Sequence, residues 1–171
     1  MNLGRLLAYV GVLVLGIVGA QLYGRRAASE APSVVVERAA GSPRADVEYL
    51  TPFGAPTRPF SPAVRVGDVL FLSGQIGTDP GATDNAVVPG GIEAETRQTL
   101  NNIKRTVEAV GSSMDKVVKC TVMMADMAEW DRMNVVYREF FAPGKLPARS
   151  AFGTSGLALN ARVEIECIAT R

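Results

Sequence analysis

Val163-Glu-Ile-Glu-Cys-Ile-Ala169 alternates apolar and polar side chains almost residue by residue. Successive side chains of a strand point to opposite faces, so Val163, Ile165 and Cys167 share one face and Glu164 and Glu166 the other. This predicts a half-buried strand whose acids face solvent, a ligand or another subunit. Val117–Ala125 carries the same signal, with Val118, Cys120, Val122 and Met124 against Lys119, Thr121 and Met123. Further upstream, Ala63–Val66 and Val69–Leu72 flank Gly67-Asp68, which predicts a hairpin with a tight turn. Two helices fall between these strands. Leu100, Ile103, Val107 and Val110 recur at three- and four-residue steps within about Ile92–Val110, and Gly111 stands where a left-handed cap residue belongs. Asp126-Met-Ala-Glu129 reads as a capping box, with Glu129 reaching back to its start. It opens a helix to about Phe141, in which Trp130, Met133, Tyr137, Phe140 and Phe141 form one apolar stripe. The order β-β-α-β-α-β, with an extra short strand near Ala148–Gly153, predicts an α+β sheet carrying both helices on one face.

Composition narrows the chemistry. The chain has 171 residues, with 18 Lys+Arg against 17 Asp+Glu. Arg5, Arg25 and Arg26 are the charged residues of positions 1–26, so the other 145 carry 15 basic and 17 acidic groups, a net of −2. No basic field marks a nucleic-acid binder. The absence of histidine excludes a Ser-His-Asp triad, a Cys-His pair, a His-bearing zinc site and an imidazole base. Cys120 and Cys167 are too few for a four-cysteine metal site. Both point with apolar neighbours and read as buried small hydrophobes, with a disulfide or a reactive thiol as the alternative. Gly90-Gly91 precedes a helix, yet no GxGxxG or GxxxxGK[ST] pattern accompanies it. No cofactor and no metal are expected.

Leu6–Gly24 is a run of 19 uncharged residues between Arg5 and Arg25-Arg26. As a helix it spans roughly 28 Å, near the thickness of a bilayer's hydrocarbon core. Residues 1–26 therefore read as a membrane anchor, a transmembrane helix holding the rest on the extracytoplasmic, periplasmic side. A signal segment cleaved after Val18-Gly19-Ala20, giving a secreted protein, is the alternative. Residues 27–45 mix Ala, Ser, Pro and charge without a period and read as a flexible linker. The globular domain is then residues 46–171.

Within that domain Arg149 stands in Leu-Pro-Ala-Arg-Ser-Ala-Phe-Gly, between a proline-bearing loop and apolar residues. A guanidinium there either grips a ligand carboxylate through two parallel hydrogen bonds or pairs with Glu164 or Glu166. Pro147–Leu157 followed by Val163–Glu166 resembles the C-terminal signature of the RidA/YjgF reactive-intermediate deaminase family. Phe71-Leu-Ser-Gly-Gln-Ile76, Glu95–Ile103 and Met133–Phe141 extend the resemblance over residues 46–171. It implies a chorismate-mutase-like protomer, a homotrimer with a ligand cleft at each subunit boundary, and hydrolysis of 2-aminoacrylate or 2-iminobutyrate to 2-keto acids and ammonia. It puts the family's carboxylate-binding arginine on Arg149 and its water-orienting glutamate on Glu164. Ser73 and Asn134 fall on further cleft positions. Where many members have Gly-Pro-Tyr-Ser, this chain has Arg58-Pro59-Phe60-Ser61, so Phe60 replaces a substrate-side tyrosine.

The implied chemistry suits the composition. A 2-imino acid already hydrolyses in water, so no strong acid or base is required. Arg149 stays protonated and can only bind and orient, while Glu164 can take a proton from water. The alternative is a non-catalytic trimeric module that holds a small carboxylate or a partner protein at the same cleft.

Overall fold

The computed structural model describes residues 46–55, 57–82 and 86–171. Six strands form one sheet: β1 (Val47–Leu50), β2 (Ala63–Val66), β3 (Val69–Ile76), β4 (Val117–Met124), β5 (Ala148–Gly153) and β6 (Val163–Thr170). Their order is β1-β2-β3-β6-β4-β5. All neighbours are antiparallel except β4 and β5, which run parallel and are joined through α2 (Trp130–Arg138). The longer helix α1 (Gly91–Ala109) connects β3 to β4. The last strand is thus inserted between the two that α1 connects.

Alternation along β3, β4 and β6 sorts the side chains. Leu70, Leu72, Val122, Met124, Val163, Ile165 and Ala169 form a single buried cluster with Ile92, Leu100, Ile103 and Val107 of α1 and Met133 and Tyr137 of α2. Register puts Val122 opposite Ile165 and Cys120 opposite Cys167, so these pairs share the helix-covered face. The other face carries Thr121 opposite Glu166, Met123 opposite Glu164, and Phe71 opposite Ile168. Phe71 and Phe152 on this face are 46% and 48% exposed.

Local chemistry sets the element ends. Gly67 at φ 58° turns the β2–β3 hairpin, where Val66 faces Val69. Gly111 at φ 86° closes α1, as expected, with Ser112 N–H donating to the Val107 carbonyl at 3.0 Å. Charged pairs then fasten the helices to each other and to the start of β6. Arg132 of α2 holds Glu93 of α1 through contacts of 2.6 and 2.7 Å. Arg162, just before β6, pairs with Glu129 at 2.8 Å and donates its backbone N–H to buried Glu95 at 2.7 Å.

Several expectations need correction. β1 carries no alternation signal in the sequence; it is a short, mostly exposed edge strand, so alternation has nothing buried to register. The capping box forms only in part. Asp126 accepts from Ala128 N–H at 2.8 Å and closes a one-turn 3-10 helix, Met127–Glu129. The Glu129 carboxylate is drawn to Arg162 and Arg132 rather than back to Asp126. Helix α2 consequently starts at Trp130 and ends at Arg138, short of Phe141.

Cys120 and Cys167 are buried, but as a disulfide rather than as thiols. They face each other across β4 and β6, with Cα atoms 4.1 Å apart. The bond links residues 47 positions apart, so it constrains a large loop of the unfolded chain. Its reduction is expected to lower stability by about 2–4 kcal/mol. Guanidinium unfolding with and without a dithiol reductant checks this; identical midpoints would refute it.

The membrane picture is also corrected. Among the described residues no helix is long and apolar enough to cross a membrane. The segment read as an anchor or signal, residues 1–26, and the linker after it lie outside the described residues.

Candidate active site

Arg149 lies on β5 opposite Cys120 of β4, which puts its side chain on the helix-covered side of the sheet edge. Its guanidinium carbon is 4.7 Å from the ring centroids of both Trp130 and Tyr137. Both rings come from α2, one at its start and one two turns later, which is the spacing that puts them on one face. They bracket the cation by its attraction to the ring faces. Among the described residues Arg149 forms no ion pair, so the structural pairing with Glu164 or Glu166 is not made. Its fork is left available for a ligand.

A hollow of about 390 Å³ opens over this arginine, lined by Trp130, Asn134, Tyr137, Arg138, Leu146, Pro147 and Arg149. Asn134 and Arg149 therefore line one hollow. Tyr137 is 3% exposed, and its hydroxyl has no hydrogen-bond partner. Burial pushes this phenol up to about 12, with the Arg149 charge pulling the other way. A buried donor without a partner costs stability. Tyr137→Phe is accordingly expected to leave ligand-free stability unchanged or to raise it by up to about 1 kcal/mol. Thermal unfolding checks this, and a clear loss would mean that the hydroxyl has a partner.

Glu164 lies elsewhere. It is on the opposite face of the sheet from Arg149 and two strands away, since β4 separates β6 from β5. Two strand spacings amount to roughly 9–10 Å. Its carboxyl is raised above the ordinary carboxylate range, first by burial and second by the neighbouring Glu166 charge. Gly74 of β3 makes room for it. A Cβ added there would come 2.1 Å from Glu164 Oε1, so only glycine lets the carboxylate lie against this backbone.

Ser73 adjoins this second location, but its hydroxyl donates to the Ser61 carbonyl at 2.6 Å. That bond pins the end of the loop carrying Phe60. Phe60 itself lines a third place, a hollow of about 310 Å³ shared with Phe53, Arg58, Gln75, Asn102 and Arg105. The Arg105 guanidinium there stands 3.9 Å from the Phe53 ring centroid. The expected site residues thus divide into Arg149 with Asn134, Glu164 with Ser73, and Phe60. Tyr137, Trp130, Arg138 and Gly74 were not singled out for the site. The sequence places Tyr137 and Trp130 in the core stripe, and only their distance to Arg149 shows that they also face the arginine. Among the described residues no cluster of Cys, Asp or Glu suits a metal ion.

The family model described as Endoribonuclease L-PSP matches residues 53–171. The chain belongs to this family, the RidA/YjgF family. The mouse protein named 2-iminobutanoate/2-iminopropanoate deaminase is 41% identical over 113 residues, which is 66% of this chain and 82% of the mouse protein. The Arabidopsis thaliana protein named Reactive Intermediate Deaminase A, chloroplastic, is 34% identical over 164 residues, 96% of this chain and 86% of that protein. Among solved structures, the YjgF gene product of E. coli superposes with a TM-score of 0.62 at 32% identity, covering 68% of this chain and 91% of that one. This likeness bears out the RidA-type α+β fold. The Arabidopsis alignment enters the N-terminal segment, and the name of that relative places it in the chloroplast. The membrane-anchored or secreted, extracytoplasmic localisation stands corrected: among the described residues no helix is long and apolar enough to cross a membrane.

Proposed function

We propose that this RidA/YjgF member hydrolyses reactive 2-imino and enamine acids, of the 2-aminoacrylate or 2-iminobutyrate type, to 2-keto acids and ammonia. One observation carries the reading: a permanently charged guanidinium, bracketed by two rings and free of carboxylate partners, in a hollow with no acid in its lining. Such a group selects a carboxylate and fixes its orientation. The names of the mouse and Arabidopsis relatives support the same chemistry.

In the reaction an enamine first tautomerises to its imine; a water oxygen then adds to the imine carbon, both water protons pass to nitrogen, and the C–N bond breaks as the carbonyl forms and nitrogen leaves as ammonia. Arg149 holds the substrate carboxylate and so fixes the imine carbon. Glu164 accepts the proton of the attacking water, and its raised carboxyl brings it closer to neutrality, where a general base works best. Within one chain these two groups occupy opposite faces of the sheet. The proposal therefore needs a second copy to bring the Glu164 of one chain to the Arg149 of another. The exposed Phe71 and Phe152 beside the acids give such a neighbour an apolar surface to cover. A closed homotrimer, with one cleft per boundary, satisfies every copy alike.

The test is ammonia release from freshly generated 2-iminobutyrate, measured against its uncatalysed decay. Acceleration proportional to protein concentration supports deamination. If no imino acid decays faster with the protein present, the chain is a binding module for small carboxylates instead.

A further inference from the structure

The hollow over Arg149 holds a second cation. Arg138, in the last turn of α2, lines it beside Asn134. Its Nε donates to the Asn134 carbonyl at 3.1 Å, which leaves both terminal amino groups unused by that bond. Positive charge at a helix C-terminus is favourable in its own right, and that explains why an arginine is tolerated there. It does not explain the side chain's path. The backbone contact four residues earlier folds the side chain back along the helix, over the same hollow that Arg149 lines. Among the described residues neither arginine has a carboxylate partner, and none of the residues lining the hollow is acidic.

Two like charges in one hollow repel each other when it is empty. One carboxylate neutralises only one of them, whereas a dianion neutralises both. We propose that the preferred substrates are imino acids with a second carboxylate, such as 2-iminoglutarate or 2-iminosuccinate, and that Arg138 determines this preference. The inference rests on the deamination reading. Arg149 takes the carboxylate next to the imine, and Arg138 takes the distal one. Trp130 and Leu146, which line the same hollow, offer apolar surface to the methylene chain. The distal group is recognised but unchanged, and the reaction is still addition of water and loss of ammonia.

The test compares kcat/KM for 2-iminoglutarate and 2-iminobutyrate with the full chain, and the binding of 2-oxoglutarate and 2-oxobutyrate by calorimetry. Wild type is expected to favour the dicarboxylate about tenfold at low salt, as suits one exposed charge-assisted pair. The margin is expected to shrink as salt is added, because Arg138 is exposed. Arg138→Gln is expected to remove most of that ratio, and Arg138→Lys to restore part of it. A wild type that favours the monocarboxylate, or an Arg138→Gln chain that loses both substrates in equal measure, overturns the inference. If neither imino acid is turned over but 2-oxoglutarate binds preferentially and Arg138→Gln abolishes the preference, deamination fails and the dicarboxylate site stands. If neither imino acid is turned over and neither keto acid binds, both fail.

Discussion

Arg149→Ala is expected to remove nearly all enzyme-dependent deamination of 2-iminobutyrate while leaving the fold in place. The arginine makes no ion pair that the sheet depends on, and its contacts with Trp130 and Tyr137 are ring contacts that an edge strand can lose. Truncating one partner of a close charge pair costs about 2–5 kcal/mol. At about 1.4 kcal/mol per decade this is roughly 30-fold to several thousand-fold in rate. Arg149→Lys is expected to fold and to fail nearly as badly, because a point charge does not reproduce the two-pronged grip. Circular dichroism and steady-state kinetics on the same samples separate loss of site from loss of structure. A fully active Arg149→Ala chain would remove Arg149 from the site.

The second large effect is expected from Gly74→Ala. The added Cβ collides with the far end of the Glu164 side chain, which can rotate away, so the strand is expected to survive. What is lost is the carboxylate's position. Removing a general base costs about 10²–10⁴ in rate, and the displaced carboxylate is expected to fall in that range. Glu164→Gln gives the comparison: it keeps the shape, holds a water, and cannot take its proton. It is therefore expected to bind a 2-keto acid product normally while turning over slowly. The acid limb of the wild-type pH profile is expected above the ordinary carboxylate range, since burial and Glu166 raise the group that must be ionised to act. Gly77→Ala marks the contrast, because its Cβ would meet the Glu95 backbone at 2.9 Å, where nothing can swing aside. A Gly74→Ala chain with full activity would show that Glu164 does not act from this position.

Much of the framework is legible in the sequence because its signals are local. Gly67-Asp68 between two apolar runs and Gly111 after a 3.6-residue pattern each have one structural meaning, and both are realised. The alternation of β6 likewise gives the two faces of that strand correctly. It does not tell which face of β6 matches which face of β5, because that depends on β6 entering between β3 and β4. For the same reason the sequence leaves the disulfide as an alternative: Cys120 and Cys167 become opposite neighbours only once β4 and β6 are paired in register. The incomplete capping box has a different cause. Asp126 and Glu129 have the right spacing, but Arg132 and Arg162 compete for the glutamate, and Arg162 comes from a distant part of the chain. The resemblance names Arg149 and Asn134 separately, and the structure puts both in one hollow, yet a resemblance to an assembled family is silent on how far Arg149 and Glu164 stand apart within one chain.

That separation makes the shared cleft directly testable by mixing two inactive proteins. Arg149→Ala chains retain Glu164, and Glu164→Gln chains retain Arg149. Unfolded together and refolded at equal amounts, they are expected to recover about a quarter of wild-type deamination, the share of boundaries in a closed ring that receives both intact groups. Each variant refolded alone is expected to stay inactive. If the mixture is no more active than its components while wild type refolded in the same way is active, Arg149 and Glu164 do not meet across a subunit boundary.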